Sequence, residues 1–404
     1  MIVVGGAYKE RCWYPHWDRI FGSGLRAALA VSKISKNSEL YTFADPSLEE
    51  DIKATLGAFG VRSHITHVRG RIIAEYLYPL GQVDLFSEGT DMPGGLSLNA
   101  SGNVALSFGL IEGTAKLEAK FIIHDPQSEL VRPDSHVNEQ FRPERFITDN
   151  LTVILGESDF PGEKNSRSQI DYVRGKYRAK ILVSRRRAGG ATVYIGDSEP
   201  QEVPAYEAQS FFKIGTGDVF AAAYAHYWAE RGFGPVEAAD IASRCMSYFA
   251  DGGAIPLPCH TALGDMNRIN TYNVMQKIYI AGAVKHLPIG WLATEASEKL
   301  RKLGADTFWP VRDVDVEISP GRMSSQNLDG MDDCSAVLAL ADDANEELIS
   351  EIDYARKRGI PIVIYSASVP YQKLVDRYGN GPDYQHDFTS ALYRVRWASI
   401  RDNV

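Results

Sequence analysis

Short apolar runs alternate with stretches of helical periodicity through the first part of the chain. Residues 1–4 are all apolar and precede Gly5 and Gly6, which predicts a buried strand that ends in a tight turn. Residues 22–34 and 48–59 carry apolar side chains at helical spacing. Strands and helices that alternate in this way indicate a mostly parallel α/β sheet.

The middle of the chain continues this pattern and adds β structure. Between positions 70 and 85 the apolar residues are spaced as in a partly exposed edge hairpin or flap. Gly189 and Gly190 separate two apolar runs that predict a second hairpin. The further elements predicted here are strands at residues 121–123, 151–155, 180–184 and 191–195 and a helix at residues 236–249.

A domain boundary is predicted after position 260. Residues 256–272 lose periodicity and gather Pro, Cys, Asn and Gly. We therefore predict a first domain at residues 1–260, a linker at 261–276 and a smaller domain at 277–404 with a C-terminal tail. The smaller domain is predicted to be a doubly wound parallel-sheet α/β domain, with strands at 277–282, 336–340 and 361–365 and helices at 291–303 and 346–358.

Composition excludes several classes of protein. The chain has 404 residues, 44% of them hydrophobic, and a net charge of −9, which argues against nucleic-acid and membrane-surface partners. The four cysteines are scattered without a Cys-x-x-Cys pair, so they predict reduced thiols and no metal site. No apolar run approaches membrane-spanning length, and the first residues lack a signal-peptide core. We expect a cytoplasmic protein that acts on a small molecule.

The strongest candidate chemistry lies at Gly215-Thr216-Gly217-Asp218, just before an alanine-rich helical run. Glycines before a helix let its free N–H groups approach an anion, and the helix dipole adds positive potential. The Asp218 carboxylate is then placed to take a proton from a hydroxyl that attacks a bound phosphate. The alternative on local pattern is that Asp218 only caps a helix after a glycine turn.

The first domain resembles the ribokinase-type (PfkB) sugar and nucleoside kinases. The family signature, Asp-Thr-x-Gly-Ala-Gly-Asp before an alanine-rich helix, corresponds to residues 212–218. The hairpin at 183–191, Val-Pro-Ala at 203–205, and residues 237–254 follow the family's order and spacing. The resemblance implies a ribokinase-like α/β/α sandwich with a β lid, which residues 70–85 would form.

This resemblance also implies roles for individual residues. Asp218 would be the general base, with ATP as the phosphoryl donor and Mg²⁺ as its metal. The acceptor would bind at Glu10, Gly22 and Gly24. The phosphate-binding positions would be Gly215, Thr216, Gly217 and Lys213.

The second domain resembles the nucleoside 2-deoxyribosyltransferases and related nucleotide N-hydrolases. The resemblance implies that Glu351 attacks C1′ of a nucleoside and that Tyr279 orients it. Asn327 stands where the family has a substrate-binding acid. The alternative is that Glu351 is a helix charge that pairs with Arg356 or Lys357. The residues that carry the resemblance are 277–282, 327–331, 336–340, 350–355 and 359–363.

Together the two resemblances predict a bifunctional enzyme of nucleoside or pentose metabolism, which we expect to form a homo-oligomer. Phe212 and Lys213 replace the Asp-Thr of the kinase signature, and the Asn-x-x-Glu segment linked to Mg²⁺ has only residues 156–159 as a weak counterpart. Lys213 either supplies a replacement charge or faces solvent. Two alternatives therefore stay open: a catalytically degenerate sensor of a nucleotide or sugar phosphate, and a protein in which one domain is active and the other serves assembly.

Overall fold

The structure is a computed structural model. It describes residues 1–88, 96–127, 145–156, 167–186, 188–269, 276–282, 287–314, 328–342 and 346–401. The chain divides into two compact units. The first contains Met1–Ala208 and Phe212–Arg268, and the second contains Gln209–Phe211 and Ile269–Val404.

The first unit is built on a large, mostly parallel sheet, which confirms the predicted sheet type. Its strand order is β14-β13-β12-β11-β9-β8-β1-β4-β5, and only β13 and β14 at one edge run antiparallel to their neighbours. The strands of this unit are β1 (Ile2–Val4), β2 (Lys9–Cys12), β3 (Trp17–Ile20), β4 (Glu39–Ala44), β5 (Arg62–His67), β6 (Arg71–Tyr76), β7 (Val83–Glu88), β8 (Ser97–Phe108), β9 (Thr114–Asp125), β10 (Phe146–Ile147), β11 (Leu151–Gly156), β12 (Ile181–Arg186), β13 (Gly190–Ile195), β14 (Gln201–Val203) and β15 (Ala205–Tyr206).

Helices cover both faces of this sheet. Gly22–Val31 and Thr216–Ala225 pack together in one apolar cluster with Pro235–Ala250, and Arg167–Tyr177 packs in the cluster on the other face. Every residue of Thr216–Ala225 except Gly217 is buried, which suits its run of alanines. The other helical segments of this unit are Glu49–Ala58, the 3-10 turns Pro46–Leu48 and His260–Ala262, and the π-helical His226–Glu230.

A small separate sheet corresponds to the predicted flap. Its order is β3-β2-β6-β7, so the hairpin predicted from residues 70–85 pairs with two strands that the apolar pattern did not indicate. β2 and β3 were missed because polar residues dominate them, as in Lys9-Glu10-Arg11. We refer to this sheet as the lid sheet.

The second unit has the predicted doubly wound parallel sheet. β17 (Lys277–Gly282), β18 (Asp306–Phe308), β19 (Ala336–Leu340), β20 (Ile362–Tyr365) and β21 (Asp383–Gln385) run in the order β18-β17-β19-β20-β21, all parallel. The order reverses between β17 and β19, and such a switch point is where ligands bind in open α/β sheets. The helices of this unit are Leu287–Lys302, Pro310–Asp313, Glu346–Lys357, Tyr371–Tyr378 and Phe388–Arg401, and β16 (Arg268–Ile269) lies where the first unit ends in sequence.

The chain after β20, beyond the last strand that the apolar pattern predicts, contains two further helices and a strand. Phe388–Arg401 packs on β19 and β20, and Tyr393 stacks on Phe211, whose backbone N–H donates to Ser390. The mixed polar and aromatic composition of this helix does not produce a clear apolar pattern.

Among the described residues, no helix combines the length and apolar character needed to span a membrane.

The start of Gly22–Val31 lies directly against the turn after β1. The Gly24 N–H donates to the Gly6 carbonyl at 3.0 Å. A methyl group on Gly24 would lie 2.5 Å from the Gly5 carbonyl, so no other residue fits without moving the backbone. Gly57, in Glu49–Ala58, has open space around the same position.

These two glycines give a matched pair of substitutions. Gly24→Ala is expected to lower the free energy of unfolding by roughly 2–4 kcal/mol, because the added methyl group overpacks the turn. Gly57→Ala is expected to raise it by about 0.5–1 kcal/mol, because alanine favours an exposed helix position. Urea unfolding of both variants measures the difference, and equal effects would contradict the packing argument.

Candidate functional site

The glycine turn places Asp218 in the first turn of a buried helix. Gly215 has φ of +80°, a left-handed conformation that favours glycine, and Thr216–Ala225 begins at the next residue. The Thr216 N–H and hydroxyl both donate to the Lys213 carbonyl, at 3.1 and 2.9 Å. A helix start leaves its first N–H groups without helical partners, which makes it suited to an anion.

Both oxygens of the Asp218 carboxylate are held by donors from other elements. Arg26 Nη1 donates to Oδ2 at 2.6 Å, and Gln127 Nε2 donates to Oδ1 at 2.7 Å. Asp218 is 6% exposed and Arg26 is 1% exposed. The carboxylate therefore has a fixed orientation within the unit.

Glu10 joins the same cluster from the lid sheet. Arg26 donates to both of its carboxylate oxygens, through Nη1 at 3.2 Å and through Nη2, and the Gly22 N–H donates to Oε1 at 3.0 Å. Burial raises the pKa of Glu10, while the Arg26 guanidinium opposes this rise. Burial alone lowers the pKa of Arg26, but the two carboxylates outweigh it and raise that pKa.

The cluster thus brings together Glu10, Gly22 and Asp218, which the sequence analysis placed in one site. Gly24 lies against backbone rather than in the cluster. Arg26 was missed by the sequence analysis. The sequence does contain a signal for it, an arginine inside an apolar helical run. Such an arginine indicates a buried guanidinium, which needs carboxylate partners.

A second arginine lies against the glycine turn. Arg185 is the last residue but one of β12, and its Nη2 lies 2.9 Å from Oδ2 of the fully buried Asp125 at the end of β9. A methyl group on Gly217 would lie 2.1 Å from Arg185 Nη1, so the guanidinium occupies the space that glycine leaves. Arg185 belongs to a run of three arginines, a pattern typical of a solvated turn, but the carboxylate of Asp125 draws its side chain inward.

The two residues that replace the Asp-Thr of the kinase signature have structural contacts. The Phe212 ring packs edge-on against Trp17, with 5.1 Å between centroids, and its N–H donates to the Ala250 carbonyl. Lys213 is partly buried, and its carbonyl closes the glycine turn.

The second unit holds a hydrogen-bonded pair, a buried tyrosine and a partly buried glutamate, beside its switch point. The Tyr279 hydroxyl, on β17, donates to Glu351 Oε1 at 2.5 Å. Burial raises the pKa of Glu351 to about 7, although the hydrogen bond from Tyr279 lowers it. Burial and the Glu351 carboxylate raise the pKa of Tyr279. Arg356 pairs with Asp353 instead, and Asn327 lies outside the described residues.

Candidate metal ligands were sought across the same part of the chain. The described residues contain no group of three or more His, Cys, Asp or Glu side chains that could hold a metal ion. Glu157 and Asp159, in the counterpart of the Mg²⁺-linked segment, lie outside the described residues. Asp125 pairs with Arg185.

Comparison with known proteins identifies the fold of the first unit. No protein-family model and no curated protein sequence matches the chain. The aminoimidazole riboside kinase of Salmonella enterica, solved with aminoimidazole riboside and an ATP analog, matches with a TM-score of 0.50 and 11% identity, over 65% of this chain and 98% of that chain. Fructokinase from Vibrio cholerae O395, solved with fructose, ADP and calcium ion, has a TM-score of 0.49 and 14% identity, over 65% and 97%. The first unit therefore has the predicted ribokinase-like fold.

Proposed function

We propose that the first unit transfers a phosphoryl group from ATP to a hydroxyl of a sugar or nucleoside. The observation that carries this proposal is the position of Asp218, held in the first turn of Thr216–Ala225 beside the Gly215 turn. A carboxylate at that point reaches both an anion at the helix start and a hydroxyl bound near Glu10. The fold shared with a riboside kinase solved with an ATP analog supports the choice of donor and acceptor.

The proposed step needs one base and one anion site. The acceptor hydroxyl gives its proton to Asp218 while its oxygen forms a bond to the γ-phosphorus. The bond between that phosphorus and the bridging oxygen breaks, and ADP leaves with the electron pair. The N–H groups of Gly215 and Gly217 stabilise the charge of the transferred phosphoryl group, whereas the Thr216 N–H already donates to the Lys213 carbonyl.

Mg²⁺ remains a prediction that accompanies this donor. Magnesium at such sites is held by the phosphates and water with one or two carboxylates, so a protein cage is not required. Because Asp125 is engaged by Arg185, no step is assigned to the metal.

Asp218→Asn is expected to lower the rate of ATP-dependent phosphorylation by at least about 100-fold, because an amide cannot accept the proton. The measurement is a product-resolved assay of ATP with pooled nucleosides and pentoses. Asp240→Asn is the matched control. Asp240 is in the same unit and accepts a hydrogen bond of 2.6 Å from the Tyr206 hydroxyl, and it has no part in the glycine turn. Phosphorylation that survives Asp218→Asn would contradict the assignment. Phosphate-dependent thermal stabilisation without ATP consumption would favour the sensor alternative.

Arg185 is proposed to bind the donor phosphates at the Gly217 side of the turn. Arg185→Met is expected to weaken ADP binding by about tenfold or more, because a charge-assisted hydrogen bond is lost. Arg186→Met is the control, since Arg186 is the next residue, has the same 18% side-chain exposure and pairs with Glu202 at 2.7 Å. Calorimetric titration measures both dissociation constants.

Loss of Arg185 also leaves Asp125 as a buried charge. The double variant Asp125→Asn/Arg185→Met removes both charges and separates this folding effect from anion binding. If the double variant and Arg186→Met bind ADP as the wild type does, the phosphate role of Arg185 is wrong.

A second candidate function belongs to the second unit: cleavage or transfer of an N-glycosidic bond. It is favoured by the Tyr279–Glu351 hydrogen bond, which fixes a partly buried carboxylate beside the switch point. In this proposal Glu351 forms a bond to C1′, the bond from C1′ to the base breaks, and the base leaves with the electron pair. Water then hydrolyses the glycosyl ester. The product of one unit would be a chemically suitable substrate for the other.

The pH dependence of base release tests this second function. Only the ionised carboxylate attacks, so with a Glu351 pKa of about 7 the rate is expected to rise with pH and level off above that value. Glu351→Gln is expected to abolish base release, while Glu346→Gln, an exposed change on the same helix, is expected to leave it unchanged. Base release by Glu351→Gln would exclude this mechanism. Cytoplasmic localisation and a homo-oligomer remain predictions.

A further inference from the structure

We propose that Arg26 is a positioning residue for phosphotransfer, because its guanidinium holds the Asp218 carboxylate in the orientation that accepts the acceptor proton. This inference rests on the proposed function of the first unit. It adds a residue for which the sequence resemblance implies no role.

The contacts of Arg26 define the orientation of the base. Its Nη1 holds Asp218 Oδ2 at 2.6 Å, while Gln127 holds Oδ1 at 2.7 Å from a different segment. Two donors on two segments fix the plane of the carboxylate. A catalytic base is commonly oriented by a third group in this way, and small errors in its placement reduce the rate.

Arg26 is itself held firmly enough to act as a template. All residues of its helix are buried, its Cζ lies 4.8 Å from the centroid of the Phe21 ring, and its other contacts go to Glu10. A planar guanidinium stacks on a ring and bonds two carboxylates at fixed angles. Lysine carries the same charge, but its single ammonium cannot reproduce this fork.

A purely structural role makes a different prediction. If Arg26 only neutralises buried carboxylates, lysine should largely replace it, because the net charge of the cluster is unchanged. If Arg26 orients Asp218, lysine should preserve folding and donor binding but not the rate of phosphoryl transfer. The rate and the stability therefore separate the two roles.

The chain provides a matched control at Arg11. This residue also contacts two carboxylates, Glu75 at 3.0 Å and Asp18 at 3.4 Å, in the lid sheet. Neighbouring residues of a strand point to opposite faces, and Arg11 is partly exposed where Glu10 is buried. Arg11→Lys makes the same chemical change without contact to Asp218.

The experiment is a double-mutant cycle with the full chain, using the acceptor that the product-resolved assay identifies. We expect Arg26→Lys to lower kcat by about 100-fold, the scale of general-base catalysis, with the ADP dissociation constant within about threefold of wild type. Arg11→Lys should keep the wild-type kcat. Because Arg26 acts through Asp218, Arg26→Lys/Asp218→Asn should be no slower than Asp218→Asn alone.

Three results would overturn the proposal. A wild-type kcat for Arg26→Lys shows that orientation by Arg26 is not needed, and effects that multiply with Asp218→Asn show that Arg26 does not act through the base. A wild-type protein without phosphotransfer overturns the proposed function together with this role. If Arg26→Lys does not fold, the double variant Glu10→Gln/Arg26→Gln takes its place, because it keeps the net charge of the cluster. The double-mutant cycle of this variant with Asp218→Asn is then compared with the cycle of Glu10→Gln and Asp218→Asn, in which Arg26 is retained.

Discussion

One guanidinium between two carboxylates constrains the interior of the first unit. Arg26, Glu10 and Asp218 are all nearly inaccessible to water, and burying such charges is costly unless they are paired. The three residues come from a helix near the start of the chain, from the lid sheet and from the helix after the glycine turn. Charge pairing therefore ties the lid sheet to the two helices that carry Arg26 and Asp218. Removing one partner alone from such a cluster typically costs 3–5 kcal/mol.

This constraint changes the interpretation of the glycine turn. Glycine at position 215 meets the positive φ, but a side chain there would also meet Arg26, with only 2.2 Å between a Cβ and Nε. Gly217 leaves the same kind of space for Arg185. Both glycines thus admit a guanidinium beside the helix start. The turn combines a helix N-terminus with two neighbouring cations, each already paired with a carboxylate.

The sequence predicted the regular elements better than the contacts that carry charge. The spacing of apolar residues and the glycines that end each run predict β1, Gly22–Val31 and the parallel sheets, because these elements depend on local burial. They could not predict β2, since three of its four residues are charged, the buried Glu10 among them. They also could not pair Arg26 with Asp218, because 192 residues separate them and only the fold brings them together. The placement of Glu10 near Asp218 came from family resemblance.

The carboxylates of the two units are stabilised by different means. Asp218 faces a full positive charge, the Arg26 guanidinium, at 2.6 Å. Glu351 faces a neutral hydroxyl, and that weaker donor leaves burial dominant, with a pKa of about 7. A carboxylate held by a guanidinium keeps its orientation before a substrate arrives. A carboxylate held by a tyrosine can change its protonation near neutral pH. The tyrosine-held arrangement suits a group that must alternate between a bonded and an ionised state. The guanidinium-held arrangement suits a base that accepts a proton from one fixed direction.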